Sequence, residues 1–128
     1  MPLDDDTTLS DDDALQCIED CQRCHDECLR TAMQQCLEMG GEHASRDHLS
    51  LMLTCAELCQ TAANAMLRGA PLHRVICQAC GEVCLACADS CEALGDMDDC
   101  AEACRICADS CLEMAGDVME DDEEDEAA

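Results

Sequence analysis

Cysteines recur at steps of three and four residues from Cys77 to Cys111, with one short break at Gly95-Asp96. Steps of three and four return to the same side of an α-helix, because the helix has about 3.6 residues per turn. The stretch therefore predicts two successive helices, each with one stripe of cysteine. In an ordinary helical bundle Leu, Ile and Val occupy such positions, so sulfur replaces the apolar lining of the core here.

The same repeat occurs four times. Segments 80–91 and 100–111 align at every cysteine, and segment 17–28 fits the same pattern. The copy at 55–66 is degraded, because Ala62 and Met66 stand where the other copies have cysteine. Four helices with one sulfur face each, joined by short connections, predict an all-α fold: an antiparallel up-down-up-down four-helix bundle with a cysteine-lined core.

The chain divides into three predicted parts. Residues 1–10 are expected to form a disordered acidic N-terminus, residues 11–119 the bundle, and residues 120–128 an acidic disordered tail. Four helices are predicted, at about residues 11–39, 46–68, 71–94 and 97–119. Residues that favour helix ends flank these segments: Ser10, Ser45 and either Asp96 or Asp98 as N-caps, Pro71 in a first turn, and Gly40, Gly69 and Gly95 at the ends.

The composition excludes an ordinary aromatic core. The 128 residues are enough for one domain and include 16 Cys and 8 Met but no Phe, Tyr or Trp. Cysteine can act as a small buried hydrophobe. A core of small side chains, however, leaves empty volume that costs about 24 cal/mol per Å³. The composition therefore predicts that a bound species fills the interior.

The charge excludes several partners. Thirty-one acidic residues against six basic ones give a formal net charge of −25. Nucleic acids and anionic membranes both need a basic surface, so neither is an expected partner. No apolar run approaches the ~20 residues of a membrane-spanning helix. Acidity with no Lys is typical of proteins from a hypersaline cytoplasm, so we favour a halophilic protein over an acidic mesophilic one.

The cysteine pattern does not predict a disulfide scaffold. The N-terminal sequence has no basic region followed by an apolar one, so no signal peptide is visible and a reducing, cytoplasmic location is expected. Residues three or four apart on a helix have Cβ atoms ~5–6 Å apart, whereas a disulfide needs ~3.5–4.5 Å. Bridges between helices stay open, so a thiol redox buffer is an alternative function.

Soft sulfur ligands select Cu(I), Zn(II) or iron–sulfur clusters. A Cu(I) ion that replaces one thiol proton leaves the core neutral, whereas Zn(II) held by four thiolates would bury two negative charges. The segment 77–87 has a ferredoxin-like run of cysteines, but its second spacing is three rather than two and no Pro follows. The pattern favours multiple Cu(I) ions, with zinc, cadmium or an iron–sulfur cluster as alternatives.

All sixteen cysteines are predicted metal ligands, and an up-down-up-down topology gathers Met and His at one pole beside Cys36, Cys91 and Cys100. The predicted ligands are Cys17, Cys21, Cys24, Cys28, Cys36, Cys55, Cys59, Cys77, Cys80, Cys84, Cys87, Cys91, Cys100, Cys104, Cys107, Cys111, Met39, His48, Met52 and Met97. We predict that copper enters at this pole. The opposite pole has Met66, His73 and Met114, behind a tight turn at residues 69–71.

The remaining histidines are weaker ligand predictions. His25 lies beside the first stripe, and His43 lies in a loop where solvation is expected. His73, like His48, continues a stripe at the start of its helix. The four histidines form no repeated constellation with any one thiol, so no catalytic residue and no enzyme activity are predicted.

These stripes, with His and Met at the end of the bundle, resemble the cytosolic branch of the cysteine-rich four-helix-bundle copper storage proteins. The resemblance covers about residues 14–119. It implies storage of many Cu(I) ions in one bundle, a homo-oligomer that is commonly a tetramer, and metal entering at the end lined by Met and His. A copper chaperone is then a candidate donor. The depleted second helix and the extreme acidity depart from the family pattern.

Overall fold

The computed structural model describes the backbone of residues 2–116 and the side chains from Asp12 onward. Four long helices make up most of this part of the chain: α1 (Pro2–Arg30), α2 (Arg46–Arg68), α3 (His73–Leu94) and α4 (Asp98–Met114). A π-helical segment (Thr31–Cys36) and a last α-helical turn (Leu37–Met39) continue α1, and a 3₁₀ helix (Gly41–Ala44) precedes α2. Residues 2–116 include no β-strand.

The four helices close into a ring. Each packs against its neighbours in sequence, and α1 also packs against α4. Short connections between sequential neighbours make these pairs antiparallel. The predicted antiparallel four-helix bundle is therefore confirmed.

Local signals set the ends of α2, which spans the predicted residues 46–68. The Ser45 hydroxyl accepts a hydrogen bond from the backbone N–H of His48 at 3.3 Å, as expected of an N-cap. Gly69 takes the left-handed conformation with φ 65° and ends the helix. The prediction succeeded here because both signals act within a few residues.

Other helix boundaries differ from the predictions. α1 begins at Pro2, so Ser10 is not its N-cap and the helix includes residues 2–10, where a disordered segment was expected. Proline suits a first helical turn, because the N–H it lacks has no partner there. α3 begins at His73 rather than Pro71, and the N-cap of α4 is Met97 rather than Asp96 or Asp98. The predicted tail at 120–128 and the predicted end of α4 at 119 lie outside the described residues.

The π-helical segment follows from an irregular cysteine spacing. In α1 three steps of four residues succeed one another, from Cys24 through Cys28 and Ala32 to Cys36, whereas the stripes of the other helices alternate three and four. Each step of four overshoots one α-helical turn by about 40°. The N–H of Leu37 bonds to the carbonyl of Ala32, five residues back, and this wider turn keeps Cys36 on the inner face.

Sulfur and small side chains fill the centre of the bundle. All sixteen cysteines are buried. At Gly81 an added Cβ would lie 2.7 Å from the Leu112 side chain, so this glycine lets α3 and α4 pack closely. Larger apolar residues pack around the sulfur from outside: Leu49, Leu51, Leu53, Leu58, Ile76, Val83 and Leu94. Within residues 2–116 we find no helix that is both long and apolar enough to cross a bilayer.

Candidate metal centre

The inward stripes of the four helices bring the cysteines together in overlapping groups. In each group the Sγ atoms all lie within 4.8 Å of one another. Four groups have four thiols each: Cys24/Cys28/Cys55/Cys104, Cys24/Cys55/Cys59/Cys84, Cys59/Cys80/Cys84/Cys107 and Cys21/Cys80/Cys107/Cys111. A fifth group has three: Cys17/Cys77/Cys111. We call these five overlapping groups the thiol column.

Neighbouring groups in the thiol column share cysteines. The first two groups share Cys24 and Cys55, and the last two share Cys111. A metal ion in one group would therefore lie beside thiols that also face the next group. The arrangement suits a continuous chain of thiolate-bridged ions better than a set of isolated four-ligand sites.

The sulfur atoms are close but not bonded. Sγ–Sγ distances between contacting cysteines run from 3.4 Å, for Cys21 and Cys111, to 4.0 Å, for Cys28 and Cys87. All sixteen cysteines are free thiols. Cys28 also contacts Cys100 at 3.5 Å, which connects the column to the predicted copper-access pole.

Cys36 lies at that pole with two thioethers and one imidazole around it. Its Sγ atom is 3.2 Å from Sδ of Met97, 3.7 Å from Sδ of Met52 and 3.6 Å from Nε2 of His48. We call these four residues the Cys36 cluster. All four side chains are buried. The structure thus brings three of the four predicted non-cysteine ligands, His48, Met52 and Met97, to one predicted thiol.

Met39, the fourth predicted non-cysteine ligand, is not part of the Cys36 cluster. Its side chain is 42% exposed, and its Sδ atom accepts a hydrogen bond from the Gln35 amide at 3.8 Å. Met39 is the last residue of the α-helical turn that follows the π-helical segment, directly before Gly40. Met39 therefore lies outside the Cys36 cluster, and its role as a copper ligand stays a prediction.

A surface groove of about 900 Å³ lies beside Met39. Its lining includes Met39, Met97 and Cys100. Met97 belongs to the Cys36 cluster, and Cys100 contacts the column through Cys28. Acidic side chains also line the groove: Glu27, Glu38, Asp96, Asp98 and Asp99. The groove lining thus includes one exposed sulfur, that of Met39, and two buried ones, those of Met97 and Cys100.

Burial contributes to a raised pKa at Cys36 and at Cys77, one thiol near each pole. Burial, followed by repulsion from Cys100 and Cys87, raises the pKa of Cys36 above its ordinary value. Hydrogen bonding with Cys111 lowers the pKa of Cys77, but contact with Cys17 and burial outweigh it and raise that pKa to about 12. Each metal ion that binds such a thiol must therefore displace a proton.

Burial also favours the neutral form of His48. Burial, with a contribution from His43, lowers its pKa, while the thiolate form of Cys100 would oppose the change. Its Nδ1 atom lies 2.7 Å from the Ser90 hydroxyl. A neutral imidazole with one free nitrogen is a competent metal ligand.

The other three histidines bond to backbone carbonyls. Nδ1 of His25 lies 2.8 Å from the Ala56 carbonyl, and Nδ1 of His73 lies 2.9 Å from the carbonyl of Ala70. Nε2 of His43 lies 3.0 Å from the carbonyl of Gly95. His43, for which solvation was predicted, is partly buried. These bonds tie the histidines to loops and helices, and none of the three rings has a recorded contact with a thiol sulfur among the described residues.

At the opposite pole the thiol column ends in a group of three cysteines. Cys17, Cys77 and Cys111 form the smallest group, and Ala62 and Met66, both buried, stand at positions where the repeat has cysteine elsewhere. His73, predicted as a possible ligand here, is only partly buried. The end of the column at Cys17 therefore has no counterpart of the Cys36 cluster among the described contacts.

Sequence reasoning missed two polar residues at the copper-access pole. Ser90 contacts His48, and the Gln35 amide donates a hydrogen bond to the carbonyl of Asp96 at 2.5 Å. Asp96 has φ 66°, an unusual value for a residue other than glycine, and directly precedes Met97. Ser90 carries no sequence signal of its own, because the equivalent Ser110 in the repeat bonds to Asp20 instead.

Comparison with known proteins gives consistent matches. Residues 10–116 match the model of a family described as copper storage protein, or Csp. A protein from Nitrosospira multiformis, known from its crystal structure, is 48% identical, with a TM-score of 0.81 over 83% of this chain and 97% of that chain.

Two solved structures of copper storage proteins are also similar. The Cu(I)-bound copper storage protein BsCsp3 is 32% identical, with a TM-score of 0.75 over 80% of this chain and 98% of that one. The apo form of copper storage protein 3 from Bacillus subtilis is 33% identical, with a TM-score of 0.72 over the same shares of 80% and 98%. A comparison with curated proteins gives no match.

Proposed function

Because the chain belongs to the copper storage protein family, we propose that it stores Cu(I) and that its sixteen buried thiols hold the metal. The observation that carries the proposal is the thiol column, in which every group shares cysteines with the next. Storage needs many adjacent sites rather than one strong site. Shared thiols provide them, because one thiolate can bridge two copper ions.

Charge balance supports copper over zinc. A Cu(I) ion that replaces one thiol proton leaves the buried column neutral, so ions can accumulate without an uncompensated charge in the core. Zn(II) bound by four thiolates would bury two negative charges at each group. The groups also share cysteines pairwise, so neighbouring four-thiolate zinc sites would compete for the same ligands.

Contacts between helices favour a second candidate, a thiol redox buffer. Cys21 and Cys111 have Sγ atoms 3.4 Å apart on different helices, so a small movement would allow a disulfide. Such a protein would cycle between thiols and disulfides and bind no metal in fixed ratio. We place it second, because it gives no reason for Met and His to gather around Cys36.

Copper reaches the column, in this proposal, along the groove beside α4. Met39 is the exposed ligand on this path, and Met97 and Cys100 are the buried ones. Thioethers and a neutral imidazole bind Cu(I) without releasing a proton, and more weakly than bridging thiolates. The Cys36 cluster therefore serves as a transfer site between solvent and store.

The family resemblance supplies further expectations. We propose that the protein acts in the cytoplasm, as a homo-oligomer that is a tetramer by resemblance, with a copper chaperone as candidate donor. Storage is binding without catalysis, so no residue is assigned a catalytic role. The groove is lined by five carboxylates and one guanidinium, Arg30, so its net negative charge supports a cationic donor surface.

Titration of reduced, metal-free protein with Cu(I) against a coloured chelator tests the storage function. We expect uptake of roughly one Cu(I) per cysteine, on the order of 16 ions per chain, without visible colour. Saturation at four or fewer ions would contradict storage. A brown, iron-containing product would indicate an iron–sulfur protein, and thiol oxidation without metal uptake would indicate a redox buffer.

A further inference from the structure

The imidazole of His48 lies between a hydroxyl and a thiol. Its Nδ1 atom is 2.7 Å from Oγ of Ser90 on α3, and its Nε2 atom is 3.6 Å from Sγ of Cys36. The ring is 5% exposed, so water does not compete freely for either nitrogen. These two contacts therefore decide where the ring proton lies.

A neutral imidazole carries one proton, on either Nδ1 or Nε2. The Ser90 hydroxyl is a good hydrogen-bond acceptor at a short distance, whereas thiol sulfur accepts only weakly and lies farther away. A proton on Nδ1, donated to Ser90, satisfies both contacts, because the Cys36 thiol can then donate to Nε2. Nε2 then has its lone pair free on the side of Cys36, where the thiol can donate to it.

We propose that Ser90 is a positioning residue that fixes the His48 ring with its Nε2 lone pair toward Cys36, and so makes His48 a copper ligand of the Cys36 cluster. The inference rests on the proposed copper storage function and names a residue that controls its transfer site. Removing a partner that orients a metal-bound histidine in this way commonly lowers metal affinity about 10- to 100-fold.

Without the Ser90 hydroxyl, the His48 ring no longer prefers its proton on Nδ1. If the proton moves to Nε2, an N–H points at Cys36 and copper must displace it before the nitrogen can bind. Met52 and Met97 would remain, but they provide thioethers only. The transfer site would then hold copper more weakly, while the thiol column, which does not include His48, would be unchanged.

The repeat provides a matched control. Ser110 occupies the position in α4 that Ser90 occupies in α3, since each precedes the last cysteine of its repeat. The Ser110 hydroxyl donates instead to the carboxylate of Asp20. A Ser110→Ala variant therefore removes an equivalent, partly buried hydroxyl contact without touching a histidine.

The first measurement needs no copper. ¹⁵N NMR of the reduced, metal-free protein should show His48 protonated on Nδ1 and unprotonated on Nε2, and the Ser90→Ala variant should lose this preference. A Ser90→Thr variant, which retains a hydroxyl, should restore it. A wild-type ring protonated on Nε2, or a tautomer that Ser90→Ala leaves unchanged, would overturn the proposal.

The second measurement is the rate of Cu(I) uptake from a chelator at sub-stoichiometric copper. We expect Ser90→Ala to slow uptake about 10-fold or more, Ser110→Ala to leave it unchanged, and Ser90→Ala to have no further effect in a His48→Ala background. Equal slowing by Ser90→Ala in both backgrounds would overturn the proposal. Total copper capacity is measured in parallel. If the Ser90→Ala variant has normal capacity and an unchanged uptake rate, the role of Ser90 is contradicted while storage stands. If the wild-type protein itself has low capacity, the storage function is contradicted.

Discussion

The Sγ atom of Cys36 lies 3.2 Å from the Sδ atom of Met97, although 61 residues separate the two in the chain. The contact joins the π-helical end of the first helix to the residue that precedes α4. Met97 also lines the surface groove that includes the exposed Met39. The Met97 thioether thus lies between the surface groove and Cys36, the outermost thiol of the first helix.

Replacing Met39, Met52 and Met97 together by Leu should slow copper loading and chelator-driven removal by about tenfold or more. Leucine retains the volume and apolar character of methionine, so the fold should persist. Because the thiol column remains intact, final capacity should stay near the wild-type value. Stopped-flow measurement of Cu(I) exchange with a coloured chelator gives both rate and capacity.

Two control variants locate the route. Met33→Leu alters an exposed methionine outside the Cys36 cluster and should change neither rate nor capacity. Replacing Met66 and Met114, which lie toward the opposite pole, should also leave the rates unchanged. If the Met66 and Met114 replacements slow copper exchange while the triple replacement of Met39, Met52 and Met97 does not, copper access lies at the opposite pole.

Ala62→Cys should raise capacity by about one Cu(I) per chain. Ala62 is fully buried on the inner face of α2, at a position where the repeat has cysteine in the other helices. The matched control is Asn64→Cys, which adds a thiol on the exposed face of the same helix. Competition with a strong chelator should reveal the extra ion only for the Ala62 variant; equal retention in both would contradict the inward column.

The sequence was sufficient for the features that depend on local signals. Steps of three and four residues placed every cysteine on an inner face, and Ser45 and Gly69 marked the ends of α2. The π-helical segment was missed, although three successive steps of four before Cys36 could have indicated it.

Contacts that depend on how the helices rotate against one another could not be predicted. Ser90 and His48 are 42 residues apart, and only the packing of α2 against α3 brings Nδ1 to the hydroxyl. The equivalent Ser110 meets Asp20 because its neighbour is α1. Two copies of one repeat therefore place the same hydroxyl in different surroundings, and the sequence alone does not distinguish them.

The stability of the reduced, metal-free protein should fall as the pH rises above about 9. Burial and thiol contacts raise the pKa of Cys77 from 9.0 to about 12, so between these values the unfolded chain loses a proton that the native state keeps. This stabilisation is complete below pH 9 and is lost as the pH approaches 12. Each such thiol lowers the free energy of unfolding by about 1.4 kcal/mol per pH unit in this window.

Thermal unfolding followed by circular dichroism from pH 7 to pH 11 provides the measurement. Copper-loaded protein is the control, because its thiols have already released their protons and the same loss should not appear. A midpoint temperature of the metal-free protein that stays constant or rises above pH 9 would contradict neutral buried thiols.

The melting temperature should rise steeply with KCl concentration, since a net charge of −25 on a small domain is strongly self-repelling. Molar salt shortens the screening length to about 3 Å and removes most of this repulsion. The control is the same series near pH 4, where many carboxylates are protonated and salt should matter less. A melting temperature independent of KCl at neutral pH would count against adaptation to high salt.

The location of bound copper tests the central claim most directly. Anomalous X-ray diffraction at the copper edge, from crystals of the fully loaded protein, should show a line of copper peaks inside the bundle from the Cys17 group to the Cys36 cluster. Each peak in the column should have two or three Sγ atoms as its nearest neighbours. Copper bound at the surface carboxylates, with the thiol column empty, would contradict the account.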